Sequence, residues 1–392
     1  MATIIEINKI EELEEYQLHW KALFSATREA SFFQTLDWLK IYWRHFGADQ
    51  KLVVLVVKDG RDVLGILPLT IKKEKNRLGT IHVLTYPLSD WGNFYGPIGP
   101  NPTATLMVAM RYLKACKQRW HMIDLRYVNR SRVDYGRTKT TMQQSGLGVR
   151  EAAWRRTSLV ELQGDWETYW ENRSRKLRRN LRIAERKVEK EGELVFERYR
   201  PKGAAHGEDD PRLDLYKECV ELAAKSWQGR STTGTTLSHQ NVKDFFRECH
   251  LCAVKEGFLD MATLRVNGKL VAYAYNYCHE RRIFGMRMGF DPKYKKFSLG
   301  TILYKRMLED SFSRGDQTFD LGHGSFEVKR FWKTEVVHSY RYAHYVSKSA
   351  KAQLLRMKHW VDDALKLDRE SFLDGNGHHK KLFYSTARTE AR

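Results

Sequence analysis

The sequence predicts an α/β protein (α+β, with mixed sheets) made of two similar units, each a mixed β-sheet flanked by helices. Strand-like apolar segments alternate with segments of helical periodicity along most of the chain. Two hairpins indicate a duplication, because each joins two apolar arms through a turn ending in glycine, at Asp59-Gly60 and at Asn267-Gly268. A length of 392 residues also suits two cores better than one. We therefore expect two copies of one unit rather than one large sheet.

The first unit, residues 1–155, is expected to begin with two helices and to continue as a sheet. Its apolar patterns predict helices near 9–26 and 32–47, the hairpin at 51–71, a strand near 79–86, a helix near 103–117 and a strand at 121–128. The Gly/Pro-rich segment "YPLSDWGNFYGPIGPNP" separates the strand near 79–86 from the helix near 103–117 and predicts a long loop.

The second unit, residues 156–346, is predicted to follow the same plan. The patterns indicate a strand near 157–162, a long basic helix near 165–192, helices near 212–227 and 239–256, three strands within 258–290, a helix near 299–314 and a strand at 336–346. Residues 347–392 are expected to form an amphipathic helix followed by a frayed polar end.

Composition narrows the classes of partner. The chain has 68 Lys and Arg against 48 Asp and Glu, a net charge of +20, which favours anionic partners such as nucleotide cofactors, tRNA, acidic polymers or a membrane surface. The start "MATIIEINKI" has no signal-peptide pattern, and the longest aliphatic run, at 52–57, is too short to cross a bilayer. These features predict a cytoplasmic protein without a transmembrane segment, and leave peripheral membrane contact open. The five cysteines have no zinc-site spacing, so no metal is expected.

A phosphate-binding loop is predicted where the third strand of the second unit meets the next helix. Lys293, Lys295 and Lys296 precede a helix that begins at Ser298-Leu299-Gly300-Thr301. Ser298 is a suitable N-cap, and Gly300 lets a ligand approach the backbone. Free amides at a helix start attract anions. An ordinary capped helix beside a solvated basic loop explains the same residues, and both interpretations remain open.

The segment "KYKKFSLG" resembles the acyl-CoA pyrophosphate loop of the GNAT acyltransferases. That loop usually reads Arg/Gln-x-x-Gly-x-Gly/Ala, and here Lys295-x-x-Ser298-x-Gly300 stands in its place. The downstream segment "FDLGHGSFEVKRFW" is similar to one GNAT branch, the cellulose-biosynthesis-associated acetyltransferases and the related Fem-type aminoacyltransferases. Asp320, Gly324, Lys329 and Trp332 occupy the positions of that branch's shared ending. The resemblance spans about residues 30–346.

The resemblance implies a tandem GNAT fold in which only the second unit keeps the acyl-donor loop. Acyl-CoA, with acetyl-CoA as the leading candidate, would then be the co-substrate. Its cofactor-binding residues would be Lys295, Lys296, Phe297, Ser298, Leu299, Gly300 and Thr301. Two strands, near 281–290 and 317–321, would splay apart around the thioester arm, with the segment after Phe319 at the end of that gap.

Acyl transfer requires a proton acceptor and a donor for the developing oxyanion. Asp320, at a strand end, is the candidate base or amine anchor, with a pKa raised by partial burial; the alternative is a carboxylate that caps the next turn. Lys329 is the candidate oxyanion or phosphate partner, or a surface lysine. His323 titrates in a useful range, although a glycine-flanked histidine is often merely exposed. Glu327 is the weakest candidate.

Acceptor-binding candidates are aromatic and polar residues in two segments. The Gly/Pro-rich loop offers Asp90, Trp91 and Tyr95, which suit stacking on a sugar or peptide but equally suit a lid on the core. Tyr275 and Tyr277 lie on a predicted strand, where most aromatics are core residues. The basic helix, with nine Lys and Arg within 173–190, is either a solvated face or a surface for CoA, tRNA or an acidic polymer.

Three functions are compatible with these patterns. The first is acyl-CoA-dependent N- or O-acyl transfer, with acetyl as the expected group, to an envelope precursor, polysaccharide, amino sugar or similar small acceptor. The second is a Fem-type aminoacyl transfer from aminoacyl-tRNA, which the net charge favours. The third is a non-catalytic module that binds an anionic polymer.

Overall fold

A computed structural model describes residues 2–76, 79–117, 119–230, 236–323 and 326–371 of the chain. These residues form one mixed β-sheet with helices on both faces. The predicted polar end beyond residue 371 lies outside the described residues.

The strands of the sheet follow the chain from its first residues to the C-terminal helix. They are β1 (Ala2–Ile7), β2 (Gln50–Asp59), β3 (Asp62–Asn76), β4 (Gly79–Thr85), β5 (Met122–Val128), β6 (Arg150–Glu161), β7 (Leu194–Tyr199), β8 (Leu259–Val266), β9 (Lys269–His279), β10 (Arg282–Phe290), β11 (Thr318–Asp320) and β12 (Glu335–Tyr345). Every predicted strand is present within the described residues, and β1 and β7 are additions that the apolar patterns did not reveal.

The helices lie between these strands in chain order. They are α1 (Gln17–Ser25), α2 (Leu36–Phe46), α3 (Pro102–Ala115), α4 (Arg137–Gln144), α5 (Trp166–Glu171), α6 (Arg175–Glu189), α7 (Leu213–Lys225), α8 (Lys243–Lys255), α9 (Leu299–Ser313), α10 (Phe326–Lys329) and α11 (Ala350–Ser371). A π-turn covers Arg130–Asp134.

The long basic helix expected near 165–192 is two helices. Asp165 accepts a hydrogen bond from the Thr168 amide and caps α5. The Ser174 hydroxyl accepts one from the Leu177 amide, 3.2 Å away, and caps α6. Because a capping residue leaves the helical conformation, Ser174 starts a new helix instead of continuing the previous one.

The sheet has 12 strands in the order β1-β2-β3-β4-β5-β12-β6-β11-β10-β9-β8-β7. Each half repeats one plan: four antiparallel strands (β1–β4 and β7–β10), whose last member pairs in parallel with the next strand, β4 with β5 and β10 with β11. The two glycine hairpins occupy corresponding places, at the β2-β3 and β8-β9 turns, with Gly60 and Gly268 at φ of 57° and 75°. This order confirms the predicted duplication of an α/β unit.

The expectation of two separate sheets is corrected, because the halves join through β12 and β6. The last strand of the first half, β6, pairs with β11 of the second half, and β12 pairs with both β5 and β6. Exchanging the last strands leaves no sheet edge between the halves, and an unpaired edge would expose backbone groups. The expected boundary at residue 155 falls inside β6. We call the β5-β12-β6-β11 region the seam.

Candidate active site

The predicted donor loop lies beside an open helix start. Lys293, Lys295 and Lys296 are exposed on a 3-10 turn, and Ser298 follows them in the left-handed conformation, at φ 55°. The Ser298 side chain does not cap α9, contrary to the expected N-cap. Helical hydrogen bonding begins at Thr301, whose amide lies 2.8 Å from the Ser298 carbonyl oxygen. The first amides of α9 therefore have no acceptor within the helix, which is what an anion-binding site at a helix start requires.

Only part of the predicted cofactor set has side chains directed to solvent. Phe297 and Leu299 are buried in the core under α9, so only their backbone is available to a ligand. A methyl group on Gly300 would meet the protein no closer than 3.8 Å, an ordinary contact. The fold itself would thus accept alanine there, and glycine costs about 0.5–1 kcal/mol within a helix. This cost is understandable if a ligand approaches the Gly300 backbone. Thr301 is half-buried.

Strands β10 and β11 splay apart just beyond the end of β11. They pair in parallel from Arg282 to Phe284, and a bulge follows between Gly285 and Arg287. A methyl group on Gly285 would lie 2.8 Å from the Asp320 carbonyl oxygen, and one on Gly322 would lie 2.9 Å from the Gly285 carbonyl oxygen. Two glycines thus let the backbones touch at the apex of the gap. The gap lies where the resemblance to GNAT proteins implied it.

In the first half, the chain fills the corresponding gap with its own loop. After β4 and β5 pair in parallel at Val83 and Leu84, the Tyr95 amide donates a hydrogen bond to the Tyr127 carbonyl oxygen, 2.9 Å away. The Gly/Pro-rich loop therefore lies beside the end of β5. In the corresponding place of the second half, the Gln228 side-chain amide donates to the Met288 carbonyl oxygen of β10, 2.6 Å away. The expectation that only the second half keeps a donor site stays a prediction.

Asp320 lies where the pairing of β10 and β11 ends and is buried, with 3% of its surface exposed. Its Oδ1 accepts hydrogen bonds from the Thr157 hydroxyl and from the Gly322 amide, the latter at 2.8 Å. Its Oδ2 accepts one from the Asn93 side-chain amide at 2.6 Å. Burial raises the pKa of Asp320, although these hydrogen bonds and Lys329 act in the opposite direction. Asp320 therefore has the burial and the raised pKa that were expected of a base. It also makes the hydrogen bond to the next turn that the alternative interpretation predicted.

A chain of side chains orients Asn93 toward Asp320. Arg155 Nη1 lies 3.2 Å from His323 Nε2, and His323 Nδ1 lies 3.1 Å from Asn93 Oδ1. Because a guanidinium can only donate, Nε2 must accept and Nδ1 must carry the proton. Nδ1 then donates to Asn93 Oδ1, which leaves the Asn93 amide nitrogen to donate to Asp320.

This arrangement corrects the role predicted for His323. Its one free lone pair is already engaged by Arg155, so the ring cannot take a proton from a substrate. Burial of the ring nitrogens, and then Arg155, Arg287 and Lys329, lower the pKa of His323 to about 4. The residue as a whole remains exposed, but both nitrogens are engaged within the protein. His323 is a positioning residue, not a catalytic base.

Lys329 is buried, which excludes the alternative of a surface lysine. Its Nζ donates to the carbonyl oxygens of Gly322 and His323, at 2.8 and 2.9 Å. Burial lowers the pKa of Lys329 to about 8, against the opposing effect of Asp320. An ammonium group has three protons, so one donor remains beyond these two contacts. Glu327, in contrast, is exposed and pairs with Arg330 at 3.0 Å.

Asp320 also lines a cavity of about 320 Å³ on the face of the sheet opposite α9. The floor of the cavity crosses the seam, through Leu159 on β6, Val337 on β12 and Val128 on β5. The α1–α2 connection and residues 93–100 form its other walls. The size falls in the range of small-molecule sites.

Most of the predicted acceptor residues lie elsewhere. Asp90 Oδ1 accepts hydrogen bonds from Arg155 and Tyr127, at 2.7 and 2.9 Å, and so supports the chain that orients Asn93. Tyr95 is the one member of the predicted acceptor set that lines the cavity.

Trp91, Tyr275 and Tyr277 are buried in the aromatic core, and none of them lines the cavity. Their predicted contact with an acceptor is therefore corrected. Aromatic residues in a strand or a Gly/Pro-rich loop more often fill a core than bind a ligand, because burial of their large apolar surface stabilises the fold.

Sequence reasoning missed Asn93, Arg155 and Thr157. Thr157 and Arg155 reach the site because β6 crosses into the second half of the sheet. Asn93 reaches it because its loop folds over the seam. The only local signal was an amide between Gly92 and Phe94 in a loop already suspected of binding a ligand.

The basic helix α6 packs one side against the core and exposes the other. Leu177, Leu181, Ala184 and Val188 are buried, whereas seven cations are exposed: Arg175, Lys176, Arg179, Arg182, Arg186, Lys187 and Lys190. Across the described ranges, no side-chain group is arranged to hold a metal ion, and no helix combines the length and hydropathy needed to cross a membrane.

Comparison with known proteins gives the same fold. Residues 175–330 match the family model of the acetyltransferase (GNAT) domain. A crystal structure of FemX superposes with a TM-score of 0.56 at 11% identity, covering 88% of this chain and 98% of its own. The C-terminal domain of a protein described as a lysylphosphatidylglycerol synthetase from Agrobacterium fabrum superposes with a TM-score of 0.53 at 14% identity. The superposition covers 90% of this chain and 97% of that domain. No curated protein sequence matches the chain.

The matched domain runs from α6 to the end of α10 and so contains the donor loop, Asp320 and Lys329. The two structural likenesses, at their low identity, support the fold alone. The chain is therefore an acyltransferase with a GNAT domain.

Proposed function

We propose that this enzyme transfers an acyl group, acetyl in the first instance, from acyl-CoA to an amine or hydroxyl of a small acceptor. One observation carries the proposal: Asp320 lies at the apex of the gap between β10 and β11 and also lines the cavity on the other side. A donor seated in the gap and an acceptor seated in the cavity would meet at its carboxylate.

The donor side fits a nucleotide diphosphate. The open amides at the start of α9 and the exposed Lys293, Lys295 and Lys296 would hold its phosphates, since a helix start carries a partial positive charge. Gly300 leaves room for a close approach to the backbone. When bound, the thioester supplies the electrophilic carbonyl and the thiolate leaving group.

Asp320 would act as the proton acceptor. Its Oδ2 has one protein donor, Asn93, and keeps a lone pair for the proton of an incoming amine or hydroxyl. A raised pKa makes the carboxylate a stronger base than an exposed aspartate, which favours general-base catalysis near neutral pH. Lys329 would direct its remaining N–H toward the negative charge that develops on the thioester oxygen.

The acceptor class follows from the resemblance to the cellulose-biosynthesis-associated acetyltransferases. We propose that the acceptor is an envelope precursor, a polysaccharide unit or an amino sugar, and that the enzyme acts in the cytoplasm. The cavity volume suits one such unit rather than a folded polymer.

The test measures donor binding and transfer separately. Calorimetry should detect binding of acetyl-CoA and of CoA at micromolar concentration, and release of free CoA should depend on an added amine or amino sugar. Asp320→Asn should keep donor binding and lower kcat by about 10²–10⁴-fold. Glu327→Gln, an exposed carboxylate on the adjacent helix, serves as the matched control and should leave kcat unchanged. Absence of acetyl-CoA binding refutes the proposal.

A second candidate, aminoacyl transfer from tRNA, is favoured by the exposed cations of α6 and by the likeness of the fold to FemX. Electrophoretic mobility shift with tRNA separates the two. A complex that survives moderate salt, and weakens when Arg179 and Arg182 are changed to Glu, would replace acyl-CoA by aminoacyl-tRNA as the donor. The identification as an acyltransferase leaves the non-catalytic alternative without support.

A further inference from the structure

The cavity extends far beyond the proposed reacting centre. Its lining begins at β10 and β11, crosses β6 and β12, and reaches β5 and the π-turn after it. Neighbouring strands lie about 4.8 Å apart, so the three strand steps from β11 to β5 span about 14 Å. An acceptor that fills the cavity is therefore elongated across the seam, with a near end at Asp320 and a far end in the first half.

Three buried polar groups mark the far end. Tyr86, Tyr95 and Asp134 line the cavity, and each is more than nine-tenths buried. The hydroxyls of Tyr86 and Tyr95 and the Oδ2 of Asp134 have no hydrogen-bond partner. The two rings lie 5.2 Å apart between centroids. Burial, together with the nearby Asp134 and Tyr95, raises the pKa of Tyr86. An unpartnered buried polar group is costly, so three beside one cavity indicate a missing partner.

No cation forms an ion pair with Asp134 among the described residues, although the charge of the nearby Arg137 acts to lower its pKa. Its Oδ1 accepts from the Thr138 amide at 2.9 Å and from the Thr138 hydroxyl. Arg137 directs its guanidinium to the backbone carbonyl of Val133, at 2.7 Å, rather than to the carboxylate. Burial raises the pKa of Asp134.

Three other arginines line the cavity. Arg28 lies over the Tyr135 ring, 5.5 Å from its centroid, and has no carboxylate partner among the described residues. Arg132 pairs with Glu161 and, at 3.6 Å, with Glu29. Arg282 pairs with Glu280 at 3.2 Å. The groups left without partners at the far end are thus a carboxylate oxygen and two phenol oxygens, which together suit a donor-rich, positively charged ligand group.

We propose that the far end binds an ammonium group, so that the acceptor is an elongated molecule with a cationic group about 14 Å from its reacting nucleophile. The assignment of the near end as the nucleophile rests on the proposed function. An ammonium group can donate to Asp134 Oδ2 and to the hydroxyl of the nearby Tyr86, which are both without a partner. The two aromatic rings add cation–π attraction in a site with little water.

The experiment uses unbranched α,ω-diamines of increasing length, with the monoamine and the diol of each length as controls. Isothermal titration calorimetry on the full chain measures their affinities without any acyl donor. We expect the long diamines and monoamines to bind about tenfold or more tightly than the diols of the same length, because a charge-assisted hydrogen bond contributes at least that factor.

Variants locate the effect. Asp134→Asn keeps an oxygen for Thr138 but removes the charge, and should abolish the preference for diamines. Tyr86→Phe keeps the ring and should reduce the preference. Asp165→Asn is the matched control, because Asp165 accepts from a Thr168 amide and hydroxyl outside the cavity. Circular dichroism verifies that each variant folds.

The outcomes separate the two proposals. Equal affinity for the diamine and the diol of the same length overturns the ammonium site, and so does a preference for the diamine over the diol that survives Asp134→Asn. A preference lost in Asp134→Asn supports the site whether or not acetyl-CoA is consumed. Failure of acetyl-CoA to bind or react counts against the proposed function alone.

Discussion

Replacement of Asn93 by leucine tests the site most directly, because the structure connects this residue to Asp320 through one hydrogen bond. The Asn93 amide donates to Asp320 Oδ2 at 2.6 Å and is held by His323. Leucine has the same number and branching of side-chain heavy atoms but no donor, so it removes the hydrogen bond without opening a space for water. The ionised carboxylate loses a stabilising partner, and its pKa rises further.

The magnitude follows from the burial of Asp320, which leaves little solvent screening. A hydrogen bond to a charged group contributes about 1.5–3 kcal/mol, and one pKa unit corresponds to about 1.4 kcal/mol. The pKa of Asp320 should therefore rise by about one to two units. The base must be ionised to act, so activity increases as pH rises through this pKa. The acid side of the pH–activity profile should therefore shift to higher pH by the same amount.

The assay follows CoA release against pH, with kcat/KM as the readout because it reports groups in the free enzyme. Asn101→Leu is the matched control, since Asn101 lies in the same loop but caps α3 through the Ala104 amide at 3.1 Å. An acid limb that stays in place in Asn93→Leu, despite a folded protein, would refute the assignment of Asp320 as the base.

Three further predictions concern the gap and the donor loop. Burial lowers the pKa of Lys329 to about 8, so activity should decline above about pH 8 as this residue loses its proton. The Lys329→Met variant should lack this alkaline decline, and its kcat should be about 10²-fold lower. Gly285→Ala places a methyl group 2.8 Å from the Asp320 carbonyl oxygen and should lower kcat at unchanged fold, as measured by CoA release and circular dichroism. The double change of Lys295 and Lys296 to Glu should raise the KM for acetyl-CoA about tenfold, more at low salt than at high salt.

Each of these predictions has a control and an outcome that contradicts it. Gly148→Ala meets nothing within 4 Å and should keep full activity. Lys358→Glu, on α11, should leave the KM for acetyl-CoA unchanged. A flat alkaline profile, an active Gly285→Ala enzyme, or a donor KM insensitive to both lysines would each contradict the corresponding part of the site.

Local signals in the sequence were sufficient for the elements that contain the site. The apolar spacing of Leu299, Ile302 and Leu303 predicted α9, and these side chains are buried in the core beneath it. The alternation around Asn267-Gly268 predicted the β8-β9 hairpin, whose turn is where it was expected. The position of Asp320 after an apolar strand predicted its burial, because the end of an interior strand is shielded by its neighbours.

Other features depended on residues far apart in the chain. The continuous sheet arises because β6 and β12 exchange partners between the halves, and an apolar strand pattern does not specify which neighbour it pairs with. His323 had the composition of a catalytic residue, and only the contact with Arg155 removes its free lone pair.

By itself, the sequence determined the duplicated α/β plan, the basic loop before α9 and the carboxylate at the end of β11. These depend on side-chain periodicity, turn residues and charge, which act over a few neighbouring positions. Only the tertiary structure decided which groups surround that carboxylate and where the cavity runs. Thr157 and Asp320 meet because β6 and β11 pair across the seam, and Asn93 reaches them from the loop that folds over it. Such contacts form when distant segments bury apolar surface together, and no short stretch of sequence encodes them.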